Sequence, residues 1–61
     1  MRFVVKHQPG KGYHFNLVAT NGQVVASSEH YETHRACLGG IESVRRNAPD
    51  AELVDEAGSR T

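Results

Sequence analysis

The sequence predicts an α+β domain of the order β-β-β-α-β, with an antiparallel meander and one helix packed on one face. Residues 13–20 and 23–28 alternate apolar and polar side chains and are separated by Asn21 and Gly22, the pair most typical of a tight hairpin turn. A helical pattern of apolar residues follows over residues 34–47. Pro49 ends that helix before one last short apolar segment.

The alternation of apolar and polar residues in the first two strands predicts the register of the first hairpin. Residues 2–7 alternate around Phe3 and Val5, and Pro9 and Gly10 supply the turn that follows. A loop over residues 9–11 sets apolar residues of the two strands opposite one another, whereas a loop one residue shorter or longer would set them against polar residues. The predicted pairs are Phe3 with Leu17, Val5 with Phe15 and His7 with Tyr13.

The second hairpin is predicted to close through a two-residue turn with positive φ at both Asn21 and Gly22. This turn pairs Ala19 with Val24, Leu17 with Ala26 and Phe15 with Ser28. One face of the meander is then apolar and is predicted to be the core: Phe3, Val5, Phe15, Leu17, Ala19, Val24 and Ala26. The opposite face mixes Val4, Val18 and Val25 with polar residues.

Thr33 is the predicted N-cap of the helix. At about 100° per residue one stripe of the helix is apolar or small and should face the sheet. Its members are Cys37, Gly40, Ile41, Val44 and Ala48. Gly40 lies on this stripe, so it is predicted to let the helix approach the sheet closely. Residues 52–55 form the predicted last strand, residues 1–56 the domain, and residues 57–61 a disordered tail.

Length and composition narrow the class of protein. Sixty-one residues with few large apolar side chains make a core too small to be stable without help. The single cysteine cannot form an internal disulfide, so a partner chain is the expected source of stability. The net charge is zero, which argues against a dedicated nucleic-acid-binding protein. The sequence predicts a cytoplasmic location, because it has no membrane-spanning run and a single free cysteine suits a reducing compartment.

Reactive side chains offer two weak hypotheses. His30, His34 and Cys37 have metal-ligand chemistry at helical spacing, but Cys37 is predicted to face the core and no fourth ligand lies nearby. Ser27, Ser28, Thr33 or Cys37 could meet a histidine as a nucleophile, yet any small chain with four histidines offers such pairs. We therefore expect no catalytic residue, no metal and no cofactor.

Binding of nucleic acid is the stronger alternative. The outer sheet face offers Lys6, His14 and Asn16, and the helix carries three arginines. The aromatic residues Phe3, Tyr13 and Phe15 are assigned to the opposite face, which the helix covers, so the outer face is predicted to lack aromatic rings on which bases could stack.

Several segments together resemble the YegP-like family of small uncharacterised bacterial proteins. They are NGQVVASSE at residues 21–29, Tyr31, and GIESVRRNAPDA at residues 40–51, with Phe3, Tyr13, Phe15, Leu17 and Cys37. The resemblance covers residues 2–55 and implies a β-β-β-α-β unit. It also implies that a single-unit member is a homodimer whose chains exchange their C-terminal strands. The family has no established activity, so the resemblance implies no catalytic residue.

The exchanged strand is also favoured by the residues themselves. The connector over residues 47–52 is short and contains Pro49, and short stiff hinges favour exchange between chains. The first strand is basic and the last is acidic, so pairing them would bring opposite charges together. The predicted dimer interface contains Phe3, Val5, Leu53 and Val54. The expected function is a non-enzymatic interaction or accessory role with an unidentified protein partner.

Overall fold

The computed structural model describes residues 1–57 of the chain. Three strands, β1 (Arg2–Gln8), β2 (Gly12–Val18) and β3 (Val24–Ser27), precede helix α1 (His34–Asn47) and a short 3-10 turn (Ala48–Asp50). The strands form one antiparallel sheet in the order β1-β2-β3. The predicted three-stranded meander with one helix is confirmed. Residues 58–61, most of the predicted disordered tail, lie outside the described residues.

The first hairpin has the predicted register. Phe3 lies opposite Leu17, Val5 opposite Phe15 and His7 opposite Tyr13. The ladder ends at the pair Gln8 and Gly12, and the amide of Lys11 donates to the carbonyl of Gln8 at 2.9 Å. Gly10 has a φ of +82° in the turn, a conformation that glycine adopts without a steric penalty.

The second hairpin differs from the prediction at its turn. Ala19 accepts a hydrogen bond from the amide of Gly22 and donates its own to Gln23, so the loop has three residues, 20–22. Asn21 Oδ1 accepts a hydrogen bond from the amide of Gln23 at 3.1 Å, and Gly22 has a φ of +91°. This hydrogen bonding replaces the predicted two-residue turn by a longer loop that ends in a left-handed glycine.

A β-bulge between Leu17 and Val18 absorbs the extra loop residue. Val18 therefore lies opposite Val24, and the predicted pair of Ala19 with Val24 is wrong. Beyond the bulge the register returns to the predicted one, with Leu17 opposite Ala26. Ser28 donates its amide to the carbonyl of Phe15 at 2.9 Å, as that register requires.

The fully packed core is small. Phe15 and Val18 are each 7% exposed, and Cys37 is completely buried. Val18 alternates with Leu17 and so lies on the mixed face, where its burial was not predicted. Val24 and Ala26, both predicted to be core residues, are exposed. Two causes are visible: the bulge moves Val24 to the face of Val18, and β3 is a short edge strand.

Helix α1 begins as predicted. Thr33 Oγ1 accepts the amide of Ala36 at 3.0 Å, which satisfies one of the free donors of the first turn. Along the predicted stripe, Cys37 is buried, Gly40 and Ile41 are half-buried, and Val44 and Ala48 are exposed. The helix therefore covers the sheet well at its N-terminal half and poorly at its C-terminal half.

At Gly40 the helix closely approaches the side chains of Tyr31 and Phe15. A Cβ atom at this position would overlap the hydroxyl of Tyr31 and lie 3.4 Å from the Phe15 ring. The close approach predicted at Gly40 is confirmed. Its neighbour Gly39 faces open space, and a Cβ atom there would have no neighbour within 4 Å.

The C-terminal segment, residues 51–57, leaves the body of the domain. Ala51 is extended, with φ −69° and ψ 133°, and no residue from 51 to 57 belongs to a strand or helix. The predicted strand at residues 52–55 is thus not formed within the described chain. The Cα radius of gyration is 14.0 Å and the longest axis is 45 Å, whereas a compact chain of this length has a radius of about 10–11 Å.

Candidate interaction groove

An apolar groove runs between the sheet and the C-terminal half of α1. It consists of two adjoining cavities of about 300 and 460 Å³, which share Phe3, Leu17 and Val44 in their walls. The first extends along β3 to Tyr31, and the second extends past Met1 to Pro49. We call both cavities together the groove.

The walls of the groove are mostly apolar, and its polar groups lie at its two ends. Phe3 and Leu17 are half-buried, and Val44 is 37% exposed on the helix side. Ser27, Ser28 and Glu29 line one end, and Arg45 lines the other. A contiguous exposed apolar surface with polar ends is typical of an interaction site.

The groove contains only part of the residues predicted for an interface. Phe3 lies in its wall, and Val5 is half-buried on the same strand. Leu53 and Val54 are 90% and 64% exposed on the C-terminal segment. Leu53 therefore does not pack on its own sheet. The sequence analysis missed Leu17, Tyr31 and Val44 as lining residues, although Val44 lay on the predicted helix stripe.

Both outer strands of the sheet have a free edge within the described chain. β1 and β3 each pair only with β2, so β1 presents unpaired backbone groups along its other side. Arg2 and Lys6 are exposed on β1, and Glu52 and Asp55 are exposed on the C-terminal segment. Opposite charges are therefore available on the edge and on the segment.

The hydroxyl groups considered as nucleophiles make structural hydrogen bonds. Ser27 Oγ donates to Asn16 Oδ1 at 2.7 Å. Ser28 Oγ donates to the carbonyl of Glu29 and accepts the amide of Phe15. Thr33 Oγ1 caps α1. These contacts hold the end of β3, the connector that follows it and the start of α1, and none of them is with a histidine.

The structure separates His30, His34 and Cys37. Cys37 is completely buried, and burial raises the pKa of its thiol above the ordinary value, so the group stays protonated and unreactive. His34 packs on Tyr13, with ring centres 5.5 Å apart. His30 packs instead on His14, at 5.2 Å. Within residues 1–57, no three His, Cys, Asp or Glu side chains are arranged to hold a metal ion.

Basic groups on the helix are partly offset by acidic ones. Glu42 lies 3.5 Å from Arg46 and 4.0 Å from Arg45, and all three side chains are well exposed. Exposed pairs of this kind contribute little to stability. They do reduce the positive potential that this face of the helix offers to a phosphate backbone.

None of the helices in residues 1–57 has the length and apolar character needed to cross a bilayer. The longest, α1, has 14 residues and carries Arg35, Glu42, Arg45 and Arg46.

Residues 10–55 match the family model described as a domain of unknown function, DUF1508. A UPF0339 protein of Treponema denticola is 46% identical over 54 residues, which cover 88% of this chain and 93% of that protein. The UPF0339 protein YegP of Yersinia pestis is 40% identical over 47 residues, covering 77% of this chain and 42% of that protein.

A solved structure has the same fold. The NMR solution structure of a protein from Haloferax volcanii superposes with a TM-score of 0.79 and is 38% identical in sequence. The match covers 88% of this chain and 92% of that protein. The match to the family model and the identity with UPF0339 proteins, YegP among them, confirm the resemblance to YegP-like proteins seen in the sequence.

Proposed function

This chain belongs to the DUF1508 family, whose molecular function is unknown, and from that premise we propose that it acts as a small dimeric, non-enzymatic interaction protein in the bacterial cytoplasm. In this proposal two chains exchange residues 51–55, and the dimer presents a surface to a protein partner. Phe3, Val5, Leu53 and Val54 form the core of the interface between the chains.

The exposure of Leu53 and Val54 is the observation that carries the proposal. Burying a leucine or valine side chain fully contributes about 1.5–3 kcal/mol. The single chain gains almost none of this at Leu53, which is 90% exposed, while the apolar groove of the same chain lies open. A dimer would bury the segment twice, once for each chain.

Chain geometry favours a second copy over the chain's own groove. The 3-10 turn at Ala48–Asp50 contains Pro49 and leads directly into extended backbone at Ala51. Residues 51–57 are all exposed, and the longest axis of the molecule is 45 Å. A proline-stiffened connector of so few residues resists the reversal that would fold the segment back.

The free edge of β1 is the proposed acceptor for the exchanged segment. Added there, residues 52–55 would satisfy unpaired backbone groups of β1 and complete a four-stranded sheet. Glu52 and Asp55 would then lie near Arg2 and Lys6. Such cross-strand pairs of opposite charge contribute roughly 0.2–1 kcal/mol each, so charge selects the acceptor strand rather than supplying most of the affinity.

The test is the molar mass of variants of the full chain in solution. We expect the wild type to be a folded dimer at micromolar concentration by light scattering. Leu53→Asp combined with Val54→Asp should lose the dimer, because it would place two carboxylates in the apolar interface. Glu56→Gln, on the same segment, is the control and should remain dimeric. A folded wild-type monomer, or a dimer that survives the double substitution, would contradict the exchange.

The non-enzymatic part of the proposal has separate support. The candidate hydroxyls hold structural hydrogen bonds, and the thiol of Cys37 is buried and protonated. Affinity capture of the tagged chain from cells, with and without nuclease, tests the kind of partner. Retention of a specific protein after nuclease treatment would support a protein partner, and its loss would favour nucleic acid.

Nucleic-acid binding is the second candidate, favoured by the exposed side chains of Arg45 and Arg46. A chain of zero net charge neutralises few phosphates, so counterion release should contribute little. We expect weak binding to single-stranded RNA at low salt and none at physiological salt. Submicromolar affinity at physiological salt, in a fluorescence titration, would make this candidate the leading one.

A further inference from the structure

We propose that His14 and His30 form a binding site for a single divalent transition-metal ion such as Zn²⁺. The two residues are far apart in the chain, one in β2 and one in the connector before α1. The structure brings their rings to a centre-to-centre distance of 5.2 Å with an angle of 57° between the ring planes. His14 is half-buried, with its Nδ1 atom buried, and His30 is exposed to solvent.

The spacing of the rings suits a shared ion. Zinc binds imidazole nitrogen at about 2.0–2.1 Å with tetrahedral angles, which places the centres of two such rings about 5 Å apart. Neutral imidazole is also the nitrogen ligand that zinc, copper and nickel take most readily in proteins. The distance between the ring centres of His14 and His30 is therefore compatible with one ion bound through one nitrogen of each ring.

An unpartnered nitrogen gives independent support. The Nδ1 atom of His14 is buried and has no hydrogen-bond partner. A buried polar atom without a partner costs about 1–3 kcal/mol, and native structures usually provide one. A metal ion held between the two rings would supply that partner to the lone pair of Nδ1.

Gln8 orients the second ring. Its Oε1 lies 3.2 Å from Nε2 of His30. An amide oxygen can only accept, so Nε2 carries the proton and Nδ1 of His30 keeps its lone pair for a ligand. Partners that fix a histidine in this way are the usual second layer of a metal site.

Two features of the proposed site limit its affinity for the metal ion. Two imidazoles leave the remaining positions of a tetrahedral ion to water, so binding should be weaker than at structural sites with four protein ligands. Lys6 lies opposite His14 in the sheet and adds an unfavourable positive charge. Its side chain is exposed and can turn towards solvent.

The chain supplies its own controls, because it has four histidines in two separate clusters. His7 and His34 both pack on Tyr13, with ring distances of 4.5 and 5.5 Å. Titration of the full chain with ZnCl₂ by calorimetry should show one ion per chain. His14→Ala and His30→Ala should each weaken binding by at least about tenfold, while His7→Ala and His34→Ala leave it nearly unchanged.

A second measurement needs no substitution. In the wild type, Zn²⁺ should shift the imidazole NMR resonances of His14 and His30 and leave those of His7 and His34 in place. Absence of saturable binding would overturn the proposal. So would equal losses in all four alanine variants, or resonance shifts centred on His7 and His34.

Discussion

The two ends of this small domain differ in how far one chain completes them. At the end near the start of α1, Cys37 is completely buried, and Tyr13 and Tyr31 exchange backbone hydrogen bonds of 2.8 and 2.6 Å. The rings of Phe15 and Tyr31 stack there at 6.4 Å. At the other end Val44 and Ala48 are exposed, the groove is open, and Leu53 is in solvent.

The two ends therefore differ in the source of their stability: contacts within one chain at the closed end, and proposed contacts with a second chain at the open end. At the closed end a single chain pairs the backbone of Tyr13 with that of Tyr31 and buries Cys37 completely. The open end carries apolar residues on the helix, the sheet and the C-terminal segment without bringing them together. The proposed dimer would bury the apolar residues of the open end. The destabilisation caused by substitutions at the open end should therefore depend on protein concentration, whereas that caused by substitutions at the closed end should not.

Deleting residues 51–61 should have the largest effect. If the C-terminal segment completes the open end of a partner, its removal should abolish the dimer, and with it cooperative unfolding of so small a core. Light scattering and a thermal melt would measure both. Deleting residues 58–61 alone is the control and should change neither. A truncated chain that remained a folded dimer would contradict the exchange.

Ile41→Ala should have the next largest effect, because Ile41 lies where the closed and open ends of the helix meet. Emptying a buried isoleucine site costs about 2–5 kcal/mol, and the half-burial of Ile41 places the expected loss near 2 kcal/mol. Arg46→Ala, on the exposed side of α1, should change the free energy of unfolding by less than about 0.5 kcal/mol. Denaturant melts that gave equal losses would mean that the helix is rotated from its described orientation.

Gly40→Ala should destabilise the closed end. The added methyl group would overlap Tyr31, whose backbone is held by the bridge to Tyr13. Overpacking of this kind costs about 1–3 kcal/mol, and the better helix propensity of alanine returns about 1 kcal/mol. We expect a net loss of about 1 kcal/mol in a urea melt. An unchanged midpoint would show that Tyr31 can move aside freely.

Most of the closed end could be predicted from the sequence, because its signals are local. Parity of the strand pattern was enough to set the register of the first hairpin, and Thr33 marked the start of α1. The turn of the second hairpin was mispredicted. Its loop is one residue longer than predicted, and the bulge next to Leu17 shifts the register back by one residue. The alternation of apolar and polar residues is the same with or without these two changes, so it could not reveal them.

The candidate sites were harder to predict because they depend on contacts between distant residues. His14 and His30 are the chain neighbours of Tyr13 and Tyr31, and the isolated bridge between those two tyrosines brings the histidine rings together. An isolated bridge has no repeating sequence pattern from which it could be predicted. Val44 could be assigned to the apolar stripe of the helix. Its exposure beside an open groove depends on how far the helix lies from the sheet, which periodicity does not encode.

Gly39→Ala should have the smallest effect and the opposite sign. Gly39 lies inside α1 and faces open space, so a methyl group would meet nothing and would restrict the unfolded chain. The expected gain is about 0.5–1 kcal/mol in the free energy of unfolding. Gly22→Ala is the matched control, since Gly22 also has no neighbour within 4 Å but has a φ of +91°. Alanine is strained in that conformation, so Gly22→Ala should destabilise the protein where Gly39→Ala stabilises it. Urea melts of the two variants would isolate backbone conformation from packing, and a loss at Gly39 would mean that its exposed face is covered in solution.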